Sequence, residues 1–295
     1  MLRNIFLTGS SGFVGHSLQI NFFEGKIISW NRGEELNLAM ASTVIHLAGK
    51  APDLKNTSAP DEYYNVNTDL TIKVFDAFLA SDAKVFITLS SVKAVADNVD
   101  GELTEQDYAN PITHYGKSKL LAEQYIFSKY IPEGKRVYVL RPCMIHGPGN
   151  KGNLNLLYKL VSKSVPWPLG AFENKRSFCS IDNLMFIFKE LIEREDIPSG
   201  IYNVSDDEPL STNDLIRLIA KSQNRNPKLW NISKKFIECV ASIGDKLHLP
   251  LNTERLHKLT SSYMVSNVKI KAAMGKPLPV SSRDGLMKTF KSFNN

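Results

Sequence analysis

Thr8-Gly9-Ser10-Ser11-Gly12-Phe13-Val14-Gly15 is the stretch of this chain that decides the fold. It follows an apolar segment, residues 4–7, that is typical of a buried strand, and apolar residues at helical spacing, Val14, Leu18 and Phe22, come next. Glycines at a strand-to-helix turn let a pyrophosphate approach the backbone, because they carry no Cβ. The helix N-terminus offers that anion unpaired N–H groups and a positive dipole end. The segment therefore predicts a dinucleotide-binding site.

Strands and helices alternate up to about residue 145, which predicts an α/β fold with a Rossmann-like, doubly wound parallel sheet. The other predicted strands are Lys26–Trp30, Thr43–Leu47, Lys84–Leu89 and Arg136–Leu140, and the predicted helices are Asp61–Leu79 and Pro111–Tyr130. Only ten residues separate Arg32 from Thr43. We therefore expect the third strand of this fold to be a remnant around Leu36–Leu38, with almost no helix after it.

Loops rich in glycine and proline begin at Gly147, with amphipathic helices between them. We expect these helices to form a smaller C-terminal substrate-binding lobe over the carboxyl edge of the sheet, where ligands bind in such folds. The expected dinucleotide-binding domain is 1–147, with 177–204 packing back onto it, and the expected lobe is 148–176 and 205–295. The amphipathic segment Phe236–Leu249 either closes the lobe or touches a membrane surface, and we favour closure.

Composition and charge argue against several classes of protein. Of the 295 residues, 43% are apolar, yet no apolar run reaches the ~18 residues of an integral membrane span. Cys143, Cys179 and Cys239 lack the spacing of a disulfide or metal site, and the chain begins with a strand, so a cytoplasmic protein without metal or signal peptide is expected. The net charge of +6 comes from scattered residues, which fits an anionic cofactor and substrate better than nucleic acid.

Tyr115 and Lys119 are candidates for acid–base chemistry, because a spacing of four residues places both on one face of the predicted helix. A phenol with a pKa of about 10 is a poor proton donor and acceptor at neutral pH, and a nearby ammonium lowers that pKa. Ser91 follows a predicted strand, where its hydroxyl can reach a substrate oxygen or merely cap a turn. The order of glycine turn, serine and Tyr–Lys pair argues against a chance arrangement.

The end of the second strand distinguishes the two nicotinamide cofactors. An acidic residue there holds the ribose 2′-hydroxyl of NAD, whereas an arginine accepts the 2′-phosphate of NADP. Asn31-Arg32 follows Trp30 in this chain, which favours NADP(H). NAD(H) stays possible, since Glu34 or Glu35 lies close enough in sequence to reach the ribose.

Motifs along almost the whole chain resemble those of the extended short-chain dehydrogenases/reductases of the nucleotide-sugar epimerase/dehydratase superfamily. Besides the glycine turn, Ser91, Tyr115 and Lys119, these motifs are Val44-Ile45-His46-Leu47-Ala48-Gly49, Asn65-Val66-Asn67, Leu140-Arg141-Pro142 and His146-Gly147-Pro148-Gly149. Within the superfamily, the chain is similar to bacterial surface-polysaccharide enzymes that act at C4 of UDP-N-acetylhexosamines. That similarity rests on Ser90-Ser91-Val92-Lys93, Gly152-Asn153-Leu154, Pro168-Leu169-Gly170-Ala171, Asn174-Lys175-Arg176-Ser177 and Leu259-Thr260-Ser261.

The resemblance implies a role for each site residue. Ser91 and Tyr115 would hold the sugar oxygen, and Lys119 would bind the nicotinamide ribose and tune Tyr115. The implied cofactor-binding residues are Gly9, Ser11, Gly12, Phe13, Val14, Gly15, Asn31, Arg32, Leu47, Ala48, Gly49, Asn67, Tyr115 and Lys119, with His46–Ala48 lining the cofactor. The implied UDP-sugar ligands are Ser91, Lys93, Asn153, Arg176 and Arg255, with Arg176 on the pyrophosphate, and a homodimer is possible.

Two departures from the superfamily narrow the expected chemistry. Val92-Lys93 stands where the 4,6-dehydratases carry Asp-Glu, so no acid pair is present to eliminate water. His146 replaces a usual tyrosine, and we interpret it as a wall residue. Two redox functions remain: an NADPH-dependent 4-keto reductase of a UDP-N-acetyl-6-deoxyhexosamine, which Arg32 favours, and a UDP-glucose or UDP-N-acetylglucosamine 4-epimerase with bound NAD. A non-catalytic dinucleotide sensor is disfavoured by the retained Tyr–Lys pair, and a reductase of small uncharged ketones by Arg176 and Asn153.

Overall fold

The computed structural model describes residues 4–21, 25–52, 59–150, 152–247 and 252–293, apart from the side chain of Asn153. Its strands are β1 (Asn4–Thr8), β2 (Lys26–Trp30), β3 (Thr43–His46), β4 (Val85–Leu89), β5 (Glu102–Leu103), β6 (Arg136–Pro142), β7 (Met144–His146), β8 (Phe178–Ser180), β9 (Gly200–Val204) and β10 (Met264–Val265). Its helices are α1 (Phe13–Asn21), α2 (Pro60–Tyr64), α3 (Leu70–Ala80), α4 (His114–Ser128), α5 (Asn153–Ser162), α6 (Ile181–Glu193), α7 (Thr212–Ser222), α8 (Lys234–Leu247), α9 (Thr253–Thr260), α10 (Val268–Met274) and α11 (Ser282–Ser292).

A six-stranded sheet in the order β2-β1-β3-β4-β6-β9 forms the centre of the molecule, and all its strand pairs are parallel. Successive side chains of a strand point to opposite faces. Ile5 and Leu7 therefore share one buried cluster with residues of α1, α6 and α10, whereas Phe6 shares another with α3 and α4. Helices on both faces of a parallel sheet confirm the predicted Rossmann-like, doubly wound fold.

The prediction of a third-strand remnant at Leu36–Leu38 is wrong. Residues 31–42 form neither strand nor helix, β2 is the edge strand, and β3 pairs directly with β1. These twelve residues must run back along the full length of a strand before β3 begins. As a helix they would span only ~18 Å, and no residues would remain for the loops at the two ends of that helix. Leu38 instead buries its side chain beside Trp30 and Ala41, which covers the edge of the sheet.

The predicted helix Asp61–Leu79 is interrupted in the structure. A π-helical turn, Asn65–Asp69, separates α2 from α3 and buries Asn67 and Thr68. Such turns are frequent at functional sites. The predicted helix Pro111–Tyr130 is shorter at both ends. It begins after Thr113, which caps α4 by accepting a hydrogen bond from the Gly116 amide at 3.2 Å, and it ends at Ser128.

The C-terminal part of the chain builds a second core beyond the carboxyl edge of the sheet. Apolar side chains of α5, α7, α8, α9 and α11 meet there, including Leu154, Ile219, Ala241, Leu256 and Phe290. Two short parallel pairs, β5 with β10 and β7 with β8, connect this core to the sheet. Of the helices within the described ranges, none is long and apolar enough to traverse a bilayer.

Candidate functional site

The glycine turn is fixed by close packing as well as by backbone conformation. Gly9 has a φ of +73°, and a Cβ there would lie 2.5 Å from the amide nitrogen of Ala48. A Cβ on Gly15 would lie 2.2 Å from the carbonyl oxygen of Gly9. Both positions therefore require glycine, while Ser11 and Gly12 between them are exposed at the N-terminus of α1. The turn thus leaves its backbone open toward a diphosphate at the helix N-terminus.

A directed chain of buried hydrogen bonds supports the loop opposite this turn. The Thr71 hydroxyl donates to the carbonyl of Asn67 (2.8 Å), so it accepts from Nε2–H of His46 (3.0 Å). Nδ1 of His46 then accepts from the Thr8 hydroxyl (2.7 Å), whose oxygen accepts from the Ala48 amide (3.1 Å). Burial lowers the pKa of His46 to about 3, and the charge of Lys119 adds to this, so the ring is neutral.

His46 is only 2% exposed, so it supports the expected cofactor surface from beneath instead of lining it. Leu47 and Ala48 are half-buried and Gly49 is exposed at the carboxyl end of β3, next to the glycine turn. Phe13 and Val14 are half-buried in the first turn of α1. These residues meet at one edge of the sheet, as the sequence predicted, although their contact with a cofactor stays a prediction.

Asn67 ties together three segments around this edge. Its Oδ1 accepts from the Lys50 amide (2.8 Å), and its Nδ2 donates to the Lys50 carbonyl and the Ser118 hydroxyl, each at 3.1 Å. The π-helical turn is what points this fully buried amide at both neighbours. Asn67 therefore positions the loop after β3 against α4. The sequence predicted a continuous helix here. The polar residues within it, which the structure shows to be buried, were the one sign in the sequence that this helix is irregular.

The Ser91 hydroxyl lies beside the Tyr115 phenol, close enough to influence its pKa, which brings the two predicted catalytic groups together. Burial raises the pKa of Tyr115, the Ser91 hydroxyl opposes that shift, and Tyr63 adds to it. The phenol is therefore protonated at neutral pH and is a proton donor in this state. The shift is opposite in direction to the lowering by an ammonium that the sequence suggested.

Two residues that sequence reasoning missed set the position of Tyr115. The Asp97 carboxylate accepts from the amides of Ile112 (2.8 Å) and Thr113 (3.2 Å), immediately before α4. Thr113 is the N-cap of α4, and Tyr115 lies in the first turn of this helix. Asp97 thus links the segment after Ser91 to the helix of Tyr115. The N-cap could have been identified from Thr113, but the sequence offers no signal for Asp97.

Lys119 is buried one turn further along α4, and its Nζ donates to the carbonyl of Leu89 at 2.8 Å. Burial lowers its pKa to about 8, with the Glu123 carboxylate opposing. A Cβ at Gly49 would lie 3.2 Å from this Nζ and 3.2 Å from Oδ1 of Asn67. Lys119 and Asn67 therefore face an open glycine position next to the glycine turn, and this arrangement fits a dinucleotide whose ribose lies between them.

The end of β2 presents a carboxylate as well as Arg32. Glu34 accepts from the Asn31 amide (2.9 Å) and from its side-chain Nδ2 (3.1 Å). These hydrogen bonds, the backbone one first, lower the pKa of Glu34. Asn31, Arg32 and Glu34 are all exposed. The sequence stressed Arg32, but the folded turn holds an ionised acid at the same strand end.

Two cations, Lys93 and Arg176, influence each other away from the glycine turn. Lys93 follows Ser91 in a 3₁₀ turn, where its Nζ donates to the carbonyl of Asp97 (2.6 Å) and lies 4.4 Å from the ring centroid of Tyr263. Burial lowers the pKa of Lys93, Asp97 opposes this, and the positive charge of Arg176 adds to it. Lys93 and Arg176 are therefore close enough for their charges to act on each other.

Arg176 is held by backbone and hydroxyl oxygens. Its Nε donates to the Ser261 carbonyl (3.0 Å), and one terminal nitrogen donates to the Ser261 hydroxyl (3.1 Å) and to the carbonyl of Lys258. Within the described ranges no carboxylate lies within 4 Å of its guanidinium or of the Lys93 ammonium. Both charges thus remain available to an anionic ligand.

Three other sequence-predicted residues lie apart from this cation pair or cannot be placed. Arg255 is exposed on the first turn of α9, one turn before Lys258, and its role stays a prediction. Asn153 begins α5, and its side chain lies outside the described residues. His146 is fully buried between Thr289 (2.9 Å) and Asp206 (3.4 Å), so it does not form the surface of a cleft wall as the sequence suggested.

Comparison with known proteins supports the same interpretation. Residues 5–205 match the NAD dependent epimerase/dehydratase family. The UDP-glucose 4-epimerase of Vibrio cholerae is 29% identical, over 99% of this chain and 96% of that protein. The N-acetyl-alpha-D-glucosaminyl-diphospho-ditrans,octacis-undecaprenol 4-epimerase of Escherichia coli O157:H7 is 28% identical (76% and 74%), and the GDP-6-deoxy-D-mannose reductase of Pseudomonas aeruginosa 25% (75% and 80%).

Solved structures share the fold at lower identity. The UDP-glucuronic acid 4-epimerase of Bacillus cereus, in complex with NAD, superposes with a TM-score of 0.75 at 17% identity, covering 99% of this chain and 98% of that one. RMD from Pseudomonas aeruginosa, complexed with NADPH, gives 0.72 at 20% identity and covers 98% of each chain. The family match and the geometry of the glycine turn, Tyr115 and Lys119 together lead to one conclusion: the chain belongs to the NAD dependent epimerase/dehydratase family and is an extended short-chain dehydrogenase/reductase, an enzyme that uses a nicotinamide dinucleotide.

Proposed function

We propose that this enzyme is a C4 epimerase of a sugar attached to a diphosphate, in the first place a UDP-sugar, and that it works with NAD. One observation carries the proposal. Ser91 lies beside the Tyr115 phenol, and Lys119 lies one turn further along the same helix. Lys93 follows two residues after Ser91, and the charge of Arg176 acts on it. This arrangement supports a sugar hydroxyl at Ser91 and Tyr115, with the dinucleotide on the Lys119 side and the diphosphate on the side of Lys93 and Arg176.

The chain's own groups account for the proton chemistry. When bound, the dinucleotide supplies the acceptor and donor of the hydride at C4. Tyr115 takes the proton of the C4 hydroxyl and later returns it, while Ser91 holds the same oxygen. Tyr115 can take that proton only as the phenolate, so its phenol must first lose a proton to solvent, and the Lys119 ammonium stabilises the phenolate. Lys93 and Arg176 hold the diphosphate, so that the sugar alone needs to turn over between the two half-reactions.

Elimination of water is not part of the proposed chemistry. Val92 is buried, and the side chain after it, Lys93, is a cation that donates to Asp97. No carboxylic acid therefore follows Ser91 directly to protonate a leaving hydroxyl. This supports chemistry confined to C4.

Glu34 supports NAD over NADP. Its carboxylate is ionised at the end of β2, where it can accept from a ribose hydroxyl and where it repels a 2′-phosphate. The relative from Vibrio cholerae, similar from end to end, is named an epimerase, which supports the same choice. The sugar diphosphate is the part of the substrate that the names of these two relatives share, because the Escherichia coli relative is named for a sugar on a polyprenyl diphosphate.

The test is isomerisation without net redox change. Purified enzyme with NAD is expected to convert UDP-N-acetylglucosamine or UDP-glucose into its C4 epimer, followed by proton NMR of the anomeric signal. Incubation with NADPH and a UDP-4-keto-6-deoxy-N-acetylhexosamine in parallel is expected to leave NADPH absorbance unchanged. Absence of isomerisation of both UDP-sugars together with NADPH consumption would refute the proposal.

A 4-keto reductase of a UDP-N-acetyl-6-deoxyhexosamine is the second candidate. Arg32 is exposed at the end of β2, where it can accept the 2′-phosphate of NADP, and the relative from Pseudomonas aeruginosa is named a reductase of a 6-deoxy sugar nucleotide. The NADPH arm of the same experiment detects this activity. Sedimentation velocity of the sample used in that assay tests the possible homodimer.

A further inference from the structure

Helix α8 carries apolar residues on two of its faces, and only one of these two faces is buried in the lobe. Ile237, Ala241 and Gly244 face the lobe core. Phe236, Ile243 and Leu247 are 60%, 48% and 63% exposed, and Val240 between them is half-buried. We call Phe236, Val240, Ile243 and Leu247 the α8 stripe.

The α8 stripe is a continuous surface. Its members recur at intervals of four, three and four residues, so they lie one above the other along the helix. Exposed apolar residues on a soluble protein are normally scattered singly, whereas a contiguous exposed strip marks a surface that contacts something else. The closing of the lobe, which the sequence favoured for this segment, accounts for Ile237 and Ala241 but not for the stripe.

Two of the three lysines of α8 border the stripe, whereas the third, Lys234, shares the far side of the helix with the carboxylates. At about 100° of rotation per residue, Lys235 and Lys246 lie on the solvent-facing flank of the stripe. Glu238 and Asp245 lie on the far side of the helix, and Asp245 is engaged by the amide of Thr253 at 3.1 Å. Lysines beside an apolar strip, with carboxylates turned away, suit an anionic lipid surface, because the side chains insert between acyl chains while the ammonium groups meet phosphates.

The helix that carries the stripe is connected to the proposed diphosphate position through α9. Arg176 donates to Lys258 and Ser261 at the C-terminal end of α9. Helix α9 packs against α8, with Leu256 in the same core cluster as Ile237. The helix pair therefore connects the anion-binding end of the cleft to the exposed apolar surface.

We propose that the α8 stripe docks on the surface of an anionic bilayer and presents the cleft to a sugar diphosphate carried by a membrane lipid. The choice of a lipid-carried sugar rests on the proposed function, whereas docking itself rests on the stripe and its lysines alone.

The test is cosedimentation with vesicles in the absence of substrate. The whole chain is expected to sediment with vesicles of phosphatidylcholine containing about one third phosphatidylglycerol, and to stay in solution with phosphatidylcholine alone. The double variant Phe236→Ser with Ile243→Ser is expected to lower the bound fraction at least ~10-fold, since it removes two apolar side chains that would insert into the bilayer. Met40→Ser with Val268→Ser removes two side chains that are each 69% exposed on other elements, and is expected to bind like the wild type.

Three results would overturn the proposal: no vesicle binding by the wild type, equal binding by the stripe variant, or a wild-type dimer that the stripe variant converts into a monomer in sedimentation velocity. In the last case, a second copy covers the stripe. Isomerisation of a UDP-sugar by the stripe variant is expected to match the wild type. Failure of docking and failure of the proposed epimerase function therefore appear in different assays.

Discussion

The two ends of the cleft are held in place by different means. The sheet end is the end formed by the glycine turn and the residues that support it. There, backbone contacts confine Gly9 and buried hydrogen bonds hold His46 and Asn67, so each group has one position. The lobe end is the end that carries Lys93 and Arg176, two long side chains held by carbonyl and hydroxyl oxygens. The sheet end is therefore suited to a cofactor of fixed geometry, and the lobe end to a substrate that must turn within the site.

The largest effect is expected from Tyr115→Phe, which removes the proton donor and leaves the ring. Turnover should fall ~10²–10⁴-fold, with dinucleotide affinity nearly unchanged. Tyr125→Phe is the matched control, because its hydroxyl donates to the Asp76 carboxylate on α3 and lies on the same helix as Tyr115. Steady-state kinetics and cofactor titration measure both. Near-normal turnover in Tyr115→Phe would assign the proton to another group.

Gly9→Ala tests the rigidity of the sheet end. Its Cβ would meet Ala48 and Leu47, and such overpacking costs about 1–3 kcal/mol, which corresponds to a ~5–150-fold weaker dinucleotide if the loss falls on the binding geometry. Gly134→Ala has a similar φ, +78° against +73°, but nothing within 4 Å of its Cβ. Titration by intrinsic fluorescence compares the two. Equal losses in both variants would mean that backbone strain, and not the close approach to Ala48, matters at Gly9.

Arg176→Ala tests the lobe end. A charged hydrogen bond contributes about 1.5–3 kcal/mol, so the KM for the sugar diphosphate should rise ~10–150-fold with unchanged dinucleotide affinity. Lys93→Met should raise the same KM less, and the exposed Arg217→Ala is the control. If the KM changes in neither Lys93→Met nor Arg176→Ala, the diphosphate binds elsewhere.

Cofactor preference at the end of β2 should change by a smaller factor. The wild type is expected to bind NADH more tightly than NADPH, and Glu34→Gln to reduce that preference ~10-fold by removing one repulsive charge. Arg32→Ala is the companion variant. Preference of the wild type for NADPH, lost in Arg32→Ala, would support the reductase instead.

The pH dependence should show the smallest effect. Lys119 has a pKa of about 8, well below the usual ~10.4 of lysine, so its positive charge is lost as the pH rises through 8. At that pH kcat/KM should be about half its plateau value. Lys119→Arg should shift this decline above pH ~10, whatever its absolute rate, because arginine stays charged. A wild-type profile that is flat to pH 10 would show that the charge of Lys119 is not needed.

The sequence predicted the sheet end well because its constraints are local. Glycine at a strand-to-helix turn and a Tyr–Lys pair one helical turn apart are visible in neighbouring residues. The missing third strand, the π-helical turn at Asn67 and the anchoring of Thr113 by Asp97 depend on contacts between distant segments. At the lobe end, Arg176 was identified only through resemblance, since its partners lie more than eighty residues away.

The central claim is that hydride leaves C4 of a sugar diphosphate and returns to the opposite face of the same carbon. UDP-N-acetylglucosamine and UDP-glucose carrying deuterium at C4 test it most directly, with the isomerised product examined by mass spectrometry and NMR. We expect the C4 epimer to keep its deuterium, in solvent water and with NAD in less than stoichiometric amount. A product that has lost the label, or consumption of NADPH with no epimer formed from either sugar, would contradict the account.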